Sequence, residues 1–262
     1  MIYFRTLKYL RYILLSRHGR GHGIHSPFIY DLVSRVFQNR IDQPLVNKIE
    51  QIREKMKSDR RSILVNDLGS KSDQPKTNLR KVSDIVRHSP VTSKYGNLLS
   101  NMAAEFGKPL IIELGTSLGI STLYMAASCE EANVITIEGC KETATLARQN
   151  IVEAGLNNIN ILEGSFDEIL AAFPCHNIKP GLIFIDGNHR KEAVIKYFNL
   201  LSEISGNNTV FIIDNINYSR GMAEAWNELK LHKNVSVSID IFRMGILFFR
   251  AGINHNNYVI RY

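Results

Sequence analysis

The stretch IIELGTSLGIST, residues 111–122, decides the reading of this chain. It begins as a buried strand, breaks at Gly115, and resumes after Gly119 as the start of a helix. In an open sheet of parallel strands, ligands sit beyond the carboxyl ends of the strands, at turns of this kind. Gly115 and Gly119 let the backbone approach a ligand closely, and the following helix opens with N–H groups that lack intrahelical partners. Thr116, Ser117, Ser121 and Thr122 add hydroxyl groups to the same turn. A strand-to-helix turn with no ligand would read similarly, so the argument needs the flanking sequence.

Two downstream features point to a nucleoside-like ligand. Glu138 ends the next strand-like run, NVITIE, 19 residues beyond Gly119, where a carboxylate can accept both ribose hydroxyls. EGSFDEI (163–169) follows the run after that and puts Ser165 near the position of an adenine. The dinucleotide fingerprint G-x-G-x-x-G is not present, because the two glycines are four apart and no third follows. Glu113, just before the first glycine, is also foreign to that fingerprint and suits a ligand carrying an ammonium group.

From about residue 108 the strand-like runs recur: PLIIEL, NVITIE, NINILEG, GLIFIDG, NTVFIIDN, VSVSID and GILFFR. Helical segments such as KETATLARQNIVEAG and HRKEAVIKYFNLLSE separate the first six. Such alternation predicts an α/β fold, a Rossmann-like, mostly parallel sheet with helices on both faces. Only IFRM separates the last two runs, too little for a crossover helix, so they are expected to form an antiparallel hairpin. The expectation is a seven-stranded sheet closed by that hairpin, in a domain spanning 81–262.

Residues 1–80 read as a basic helical extension. Residues 1–62 hold 13 Lys and Arg against 5 Asp and Glu, so the net charge of +7 belongs to this segment. MIYFRTLKYLRYILLSR spaces Tyr3, Leu7, Leu10 and Leu14 helically, a face for packing on the chain or a second copy, or for an anionic membrane surface. Ser26-Pro27 is a helix-start pair, and helices are expected at about 27–39 and 44–58. HGRGHGIH (18–25) carries His18, His22 and His25, but its glycines argue for a hinge or lid loop rather than a metal site. Residues 66–78 read as a polar linker. Thr92, Ser93 and Gly96 open a helix that could close over a ligand, and Trp226 reads as core. Three cysteines without metal-like spacing, no bilayer-length apolar run and no secretory pattern suggest a cytoplasmic protein.

Asp186 ends GLIFID, and Asp214-Asn215 ends VFIIDN. Neighbouring parallel strands bring such ends together, and two carboxylates with an amide carbonyl suit a hard cation such as Mg²⁺. A strand-end acid facing a cofactor is the alternative for Asp186.

With these residues in view, the chain resembles the class I S-adenosylmethionine-dependent methyltransferases over roughly residues 90–250. ELGTSLG is similar to their E/D-x-G-x-G-x-G loop, with Ser117 at the usual middle glycine, and TIEG resembles the acidic end of their second strand. The resemblance implies that Glu113, Gly115 and Gly119 shape the methionine end of the cofactor site and that Glu138 binds ribose. Asp186, Asp214 and Asn215 match the metal positions of the cation-dependent catechol and caffeoyl-CoA type O-methyltransferases. Their base is a lysine three residues after the first Asp; His189 stands there, and its ordinary pKa of about 6.5 suits a general base.

The expected function is methylation of a small hydroxylated molecule, with S-adenosylmethionine as cofactor and possible help from Mg²⁺. A macromolecular substrate such as RNA, held by the basic segment, is the first alternative. Against it, no RNA-binding module is recognisable, and DGNH replaces the N-P-P-Y-like segment of amino-methylating enzymes. A non-catalytic binding protein that kept the fold is the second alternative. A homodimer through the N-terminal helices is a further expectation.

Overall fold

The computed structural model describes residues 2–16, 26–39, 43–66, 79–88, 91–173, 178–252 and 255–262. His18, His22, His25, Cys175 and nearly all of the 66–78 linker lie outside the described residues. The chain divides into two compact units, Met1–Asn39 with Cys175–Tyr262, and Arg40–Pro174. In the first, α1 (Ile2–Leu15) is followed by α2 (Pro27–Asp31), which widens into π-helical turns over Leu32–Phe37. The second unit contains α3 (Gln43–Lys57), β1 (Ser62–Leu64), β2 (Leu79–Lys81), α4 (Val82–His88), α5 (Ser93–Phe106) and β3 (Leu110–Leu114). It continues with α6 (Ile120–Ala127), β4 (Asn133–Glu138), α7 (Lys141–Ala154), β5 (Ile159–Glu163) and α8 (Phe166–Ala171). The first unit then resumes with β6 (Leu182–Ile185), α9 (Lys191–Ile204), β7 (Val210–Ile213) and α10 (Arg220–Leu229). It closes with β8 (Val237–Asp240), β9 (Gly245–Phe248) and β10 (Asn256–Val259).

The main sheet has eight strands, mostly parallel, one more than the sequence pattern predicts. In the second unit β3, β4 and β5 are parallel neighbours, with Glu113 opposite Thr136 and Glu138 opposite Glu163. In the first unit the order is β10-β8-β9-β7-β6. β8 and β9 form the expected antiparallel hairpin, and β9 pairs antiparallel with β7. The additional strand, β10, joins β8 in parallel at the sheet edge. Its sequence NNYV is half polar and its first residues are exposed, so no apolar alternation marks it. A separate antiparallel pair, β1 with β2, also carries no such pattern.

Strand composition follows burial. LIFI of β6 and VFII of β7 are buried at every position, as strands covered on both faces must be. Helix limits follow their caps. Ser26 accepts from the Ile29 N–H ahead of Pro27, Ser219 accepts from the Met222 N–H, and Gly155 ends α7 at φ +77°. In the second unit α3 buries Ile49, Ile52 and Met56 against Leu118, Leu123, Tyr124, Leu146 and Ile151. Trp226 is core, as expected, and its ring lies where a Cβ on Gly245 would fall.

α1 packs by a different face from the one its leucine spacing suggests. Tyr12 is buried, its hydroxyl donating to the Ile260 carbonyl at 2.8 Å, and Tyr9 and Tyr12 pack on Phe242. Tyr3, Leu7, Leu10 and Leu14 remain exposed. No helix among the described residues is long and apolar enough to cross a membrane.

Candidate functional site

The turn after β3 is built around a buried carboxylate. Glu113 has no accessible surface. Ser121 donates to it at 2.5 Å, Thr136 at 2.7 Å, and Thr122 donates as well. Thr116, also buried, lies 2.6 Å from the Thr136 hydroxyl and extends the chain of hydroxyls. Burial pushes the Glu113 carboxyl up to about 7; the three hydroxyl donors oppose this, and the nearby Glu138 charge adds to it. Glu113 thus braces the turn from beneath, and no cationic side chain bonds it among the described residues. Thr136 was absent from the sequence reading. A lone polar residue within the apolar run of β4 was the available signal.

Above this brace the backbone takes unusual conformations. Gly115, Ser117 and Gly119 all have positive φ, at 102°, 49° and 85°. The middle value accounts for the preference for glycine there, since side chains disfavour the left-handed region. Glu138 is drawn onto the turn: one oxygen accepts from the Ser117 N–H at 2.7 Å, the other from the Cys140 N–H at 2.9 Å. Two backbone donors fix the plane of the carboxylate and leave lone pairs for a further partner.

The remaining candidates in this unit serve local structure. Ser165 is the N-cap of α8 in a capping box with Glu168. Thr92 caps α5 without a side-chain hydrogen bond. Gly96 lies inside α5, where a Cβ would come within 2.5–2.8 Å of the Tyr124 ring. Its small size is therefore required by packing. Tyr124 donates to Glu50 at 2.8 Å, and Glu50 also accepts from the buried Arg53 at 3.1 Å.

At the carboxyl ends of β6 and β7, Ile185 pairs with Ile213, so Asp186 and Asp214 leave neighbouring strands at the same level. His189 Nε2 is 3.6 Å from Asp186 Oδ1 and 3.2 Å from Asn215 Nδ2. The first distance is an electrostatic contact, too long for a hydrogen bond. Asn215 has φ +60°, a conformation that asparagine tolerates.

Asp214 does not join this cluster as an open ligand. It is fully buried, and both its oxygens accept from Arg243, Nε to Oδ1 and Nη2 to Oδ2, each at 3.0 Å. Arg243 lies in the β8–β9 turn, where its carbonyl also accepts from the Ile216 N–H at 3.1 Å. The expected trio of Asp186, Asp214 and Asn215 therefore does not fit a divalent cation. A guanidinium occupies the lone pairs of one carboxylate, and its permanent charge repels a second cation there. No group of three or more His, Cys, Asp or Glu side chains able to hold a metal occurs among the described residues. The sequence signal for Arg243 was its place as the one charged residue in IFRM, between two apolar runs.

Residues 112–216 match the family described as "Methyltransferase domain". A catechol O-methyltransferase of Niastella koreensis is 31% identical over 131 residues, covering 49% of this chain and 57% of that protein. A catechol O-methyltransferase of Mycobacterium tuberculosis is 27% identical over 131 residues, 48% of this chain and 56% of that protein. The chain thus spans about half the length of the curated relatives it matches. Among solved structures, the O-methyltransferase TomG of Streptomyces achromogenes, in complex with SAM, superposes with a TM-score of 0.57. It is 18% identical, with coverage of 85% of this chain and 95% of that one. An O-methyltransferase from Bacillus cereus in complex with SAH gives 0.55 at 20% identity, covering 84% and 97%. Residues 112–216 are thus similar to methyltransferase domains, and the chain has the fold of the solved O-methyltransferase structures.

Proposed function

We propose that the protein is an S-adenosylmethionine-dependent O-methyltransferase acting on a small hydroxylated molecule. The observation that carries this reading is the turn after β3, with its three positive-φ residues, its buried Glu113 and the Glu138 carboxylate held across it. The residues present fit the cofactor. Glu138 offers oriented oxygens to the two ribose hydroxyls, and Gly115, Ser117 and Gly119 present backbone where side chains would block approach. A cation bound close to the turn would also restore the ionised form of Glu113, which burial disfavours. Bound S-adenosylmethionine supplies a methyl group on a positively charged sulfonium.

The acceptor's proton goes to His189 in this reading, with Asp186 stabilising the imidazolium that results. Positioning and charge placement supply most of the acceleration, as is general for reactions of this type. No metal takes part, because Asp214 is committed to Arg243. Relatives described as catechol O-methyltransferases support a hydroxylated aromatic acceptor. Two free, buried cysteines, Cys129 and Cys140, suit a reducing compartment, and we place the protein in the cytoplasm.

Calorimetric titration with S-adenosylhomocysteine in EDTA tests the proposal. Wild type should bind, and Glu138→Ala should weaken binding about tenfold or more, the loss of two charge-assisted hydrogen bonds. A wild-type protein that is folded and does not bind would overturn it.

A further inference from the structure

The outer face of α1 is a part of the first unit whose residues the fold does not use. Tyr3, Leu7, Leu10 and Leu14 follow one another at steps of four and three residues, so they form one stripe along the helix. All four are exposed, Tyr3 at 78% and Leu14 at 83%. Tyr12 stands two residues from both Leu10 and Leu14, on the opposite side, and that side holds the helix to the protein. Arg261 adds a second fastening, donating to the Ile13 carbonyl at 2.9 Å. The apolar stripe is therefore held outward. Its surroundings are basic. α1 carries Arg5, Lys8 and Arg11 and no acid, and the first acidic residue of the chain is Asp31. Arg11 borders the stripe, four residues after Leu7 and three before Leu14. Burial lowers the Lys230 ammonium at the end of α10, and the nearby charges of Lys8 and Arg11 lower it further, against the pull of Asp240. Asp240 offsets part of this positive charge from a half-buried position, where it also accepts from the Phe242 N–H. Next to Lys230 stands another exposed leucine, Leu231.

We propose that α1 docks the protein on an anionic lipid surface, with Tyr3, Leu7, Leu10 and Leu14 entering the headgroup boundary and Arg11 and Lys8 meeting the lipid phosphates. Charge complementarity selects this occupant. Two copies of α1 laid stripe to stripe about a two-fold axis would bring their basic residues together, with no acid on either helix to separate them. An anionic membrane surface supplies what both features lack, hydrocarbon for the leucines and negative charge for the cations. A tyrosine at the end of the stripe suits the same boundary, where an apolar ring and a polar hydroxyl are both satisfied. The contact is peripheral. α1 has 14 residues and is about 20 Å long, and no helix among the described residues is long and apolar enough to cross a membrane. The inference stands apart from the methyltransferase reading and places the protein against a surface rather than free in solution.

Sedimentation of the full chain with lipid vesicles tests this. Wild type should bind vesicles of phosphatidylcholine with about a third phosphatidylglycerol about tenfold or more tightly than pure phosphatidylcholine vesicles. Salt at about 0.5 M should erase most of that difference. Leu10→Ser combined with Leu14→Ser should weaken binding to the anionic vesicles about tenfold or more, and Arg11→Gln about fivefold. These positions are exposed, so the variants should melt close to wild type, and the comparison of the two lipids needs no variant at all. Equal binding to both lipids, no binding to the anionic vesicles, or undiminished binding by the folded double variant overturns the proposal. A wild-type dimer in sedimentation equilibrium that the double variant dissolves also overturns it, because the stripe would then belong to a second copy of the chain.

Discussion

The turn after β3 and the ends of β6 and β7 each bury an acid completely, and they satisfy it in opposite ways. Glu113 receives three neutral hydroxyls, all within 23 residues along the chain. Asp214 receives a full positive charge from 29 residues away. Hydroxyl donors stabilise a carboxylate without cancelling its charge, so the Glu113 carboxyl is pushed up to about 7 and stays responsive to an arriving cation. A forked guanidinium cancels the charge and satisfies the geometry at once. One region is poised for a positively charged ligand, whereas the other has its counter-charge already in place.

The largest expected effect tests the second region. Asp214→Ala leaves the Arg243 guanidinium half-buried without its partner and should cost about 3 kcal/mol in chemical denaturation. A loss below about 1 kcal/mol would make the pair equivalent to a surface bridge and end the contrast. Next comes the first region, through pH. Folded Glu113 holds its proton up to about 7, against 4.5 ordinarily, so its contribution to stability is complete below pH 4.5 and is lost as pH rises through 7. Glu113→Gln should therefore be more stable than wild type by about 2 kcal/mol at pH 8, and the two should converge near pH 4. Parallel melting curves at all pH values would show that the hydroxyls compensate burial fully.

A smaller effect separates packing from binding within the second unit. Gly96→Ala drives a methyl group into the Tyr124 ring and should cost about 1–2 kcal/mol, with S-adenosylhomocysteine affinity nearly unchanged in the folded fraction. Ser165→Ala should cost about 1 kcal/mol through the lost cap of α8. A tenfold drop in cofactor-product affinity for either variant would move that residue from local structure into the binding site.

Legibility in the sequence followed the distance between partners. The turn at 111–122 could be read because its glycines, hydroxyls and brace lie close together, and only Thr136 had to be supplied by strand pairing. The acid at 214 was visible, but its identity as half of an ion pair was not, since Arg243 reaches it only after β9 folds back beside β7. Proximity to Asp186 and Asn215 suggested a divalent cation, whereas in the structure both Asp214 oxygens accept from Arg243. β10 escaped because an exposed edge strand needs no apolar alternation, and the α1 face that packs on the chain carries Tyr9 and Tyr12, while Tyr3, Leu7, Leu10 and Leu14 stay exposed.

Tyr12 and Ile260 are 248 residues apart, and the same tyrosine hydroxyl accepts from the Tyr262 N–H while Arg261 donates to the Ile13 carbonyl. During synthesis, then, α1 emerges well before its permanent neighbours at Ile260–Tyr262 exist. The second unit, continuous in sequence, can complete itself in the meantime, as domains made earlier generally do. Until residues 260–262 leave the ribosome, α1 carries both its exposed apolar stripe and its unfilled tyrosine face, two surfaces open to unwanted association.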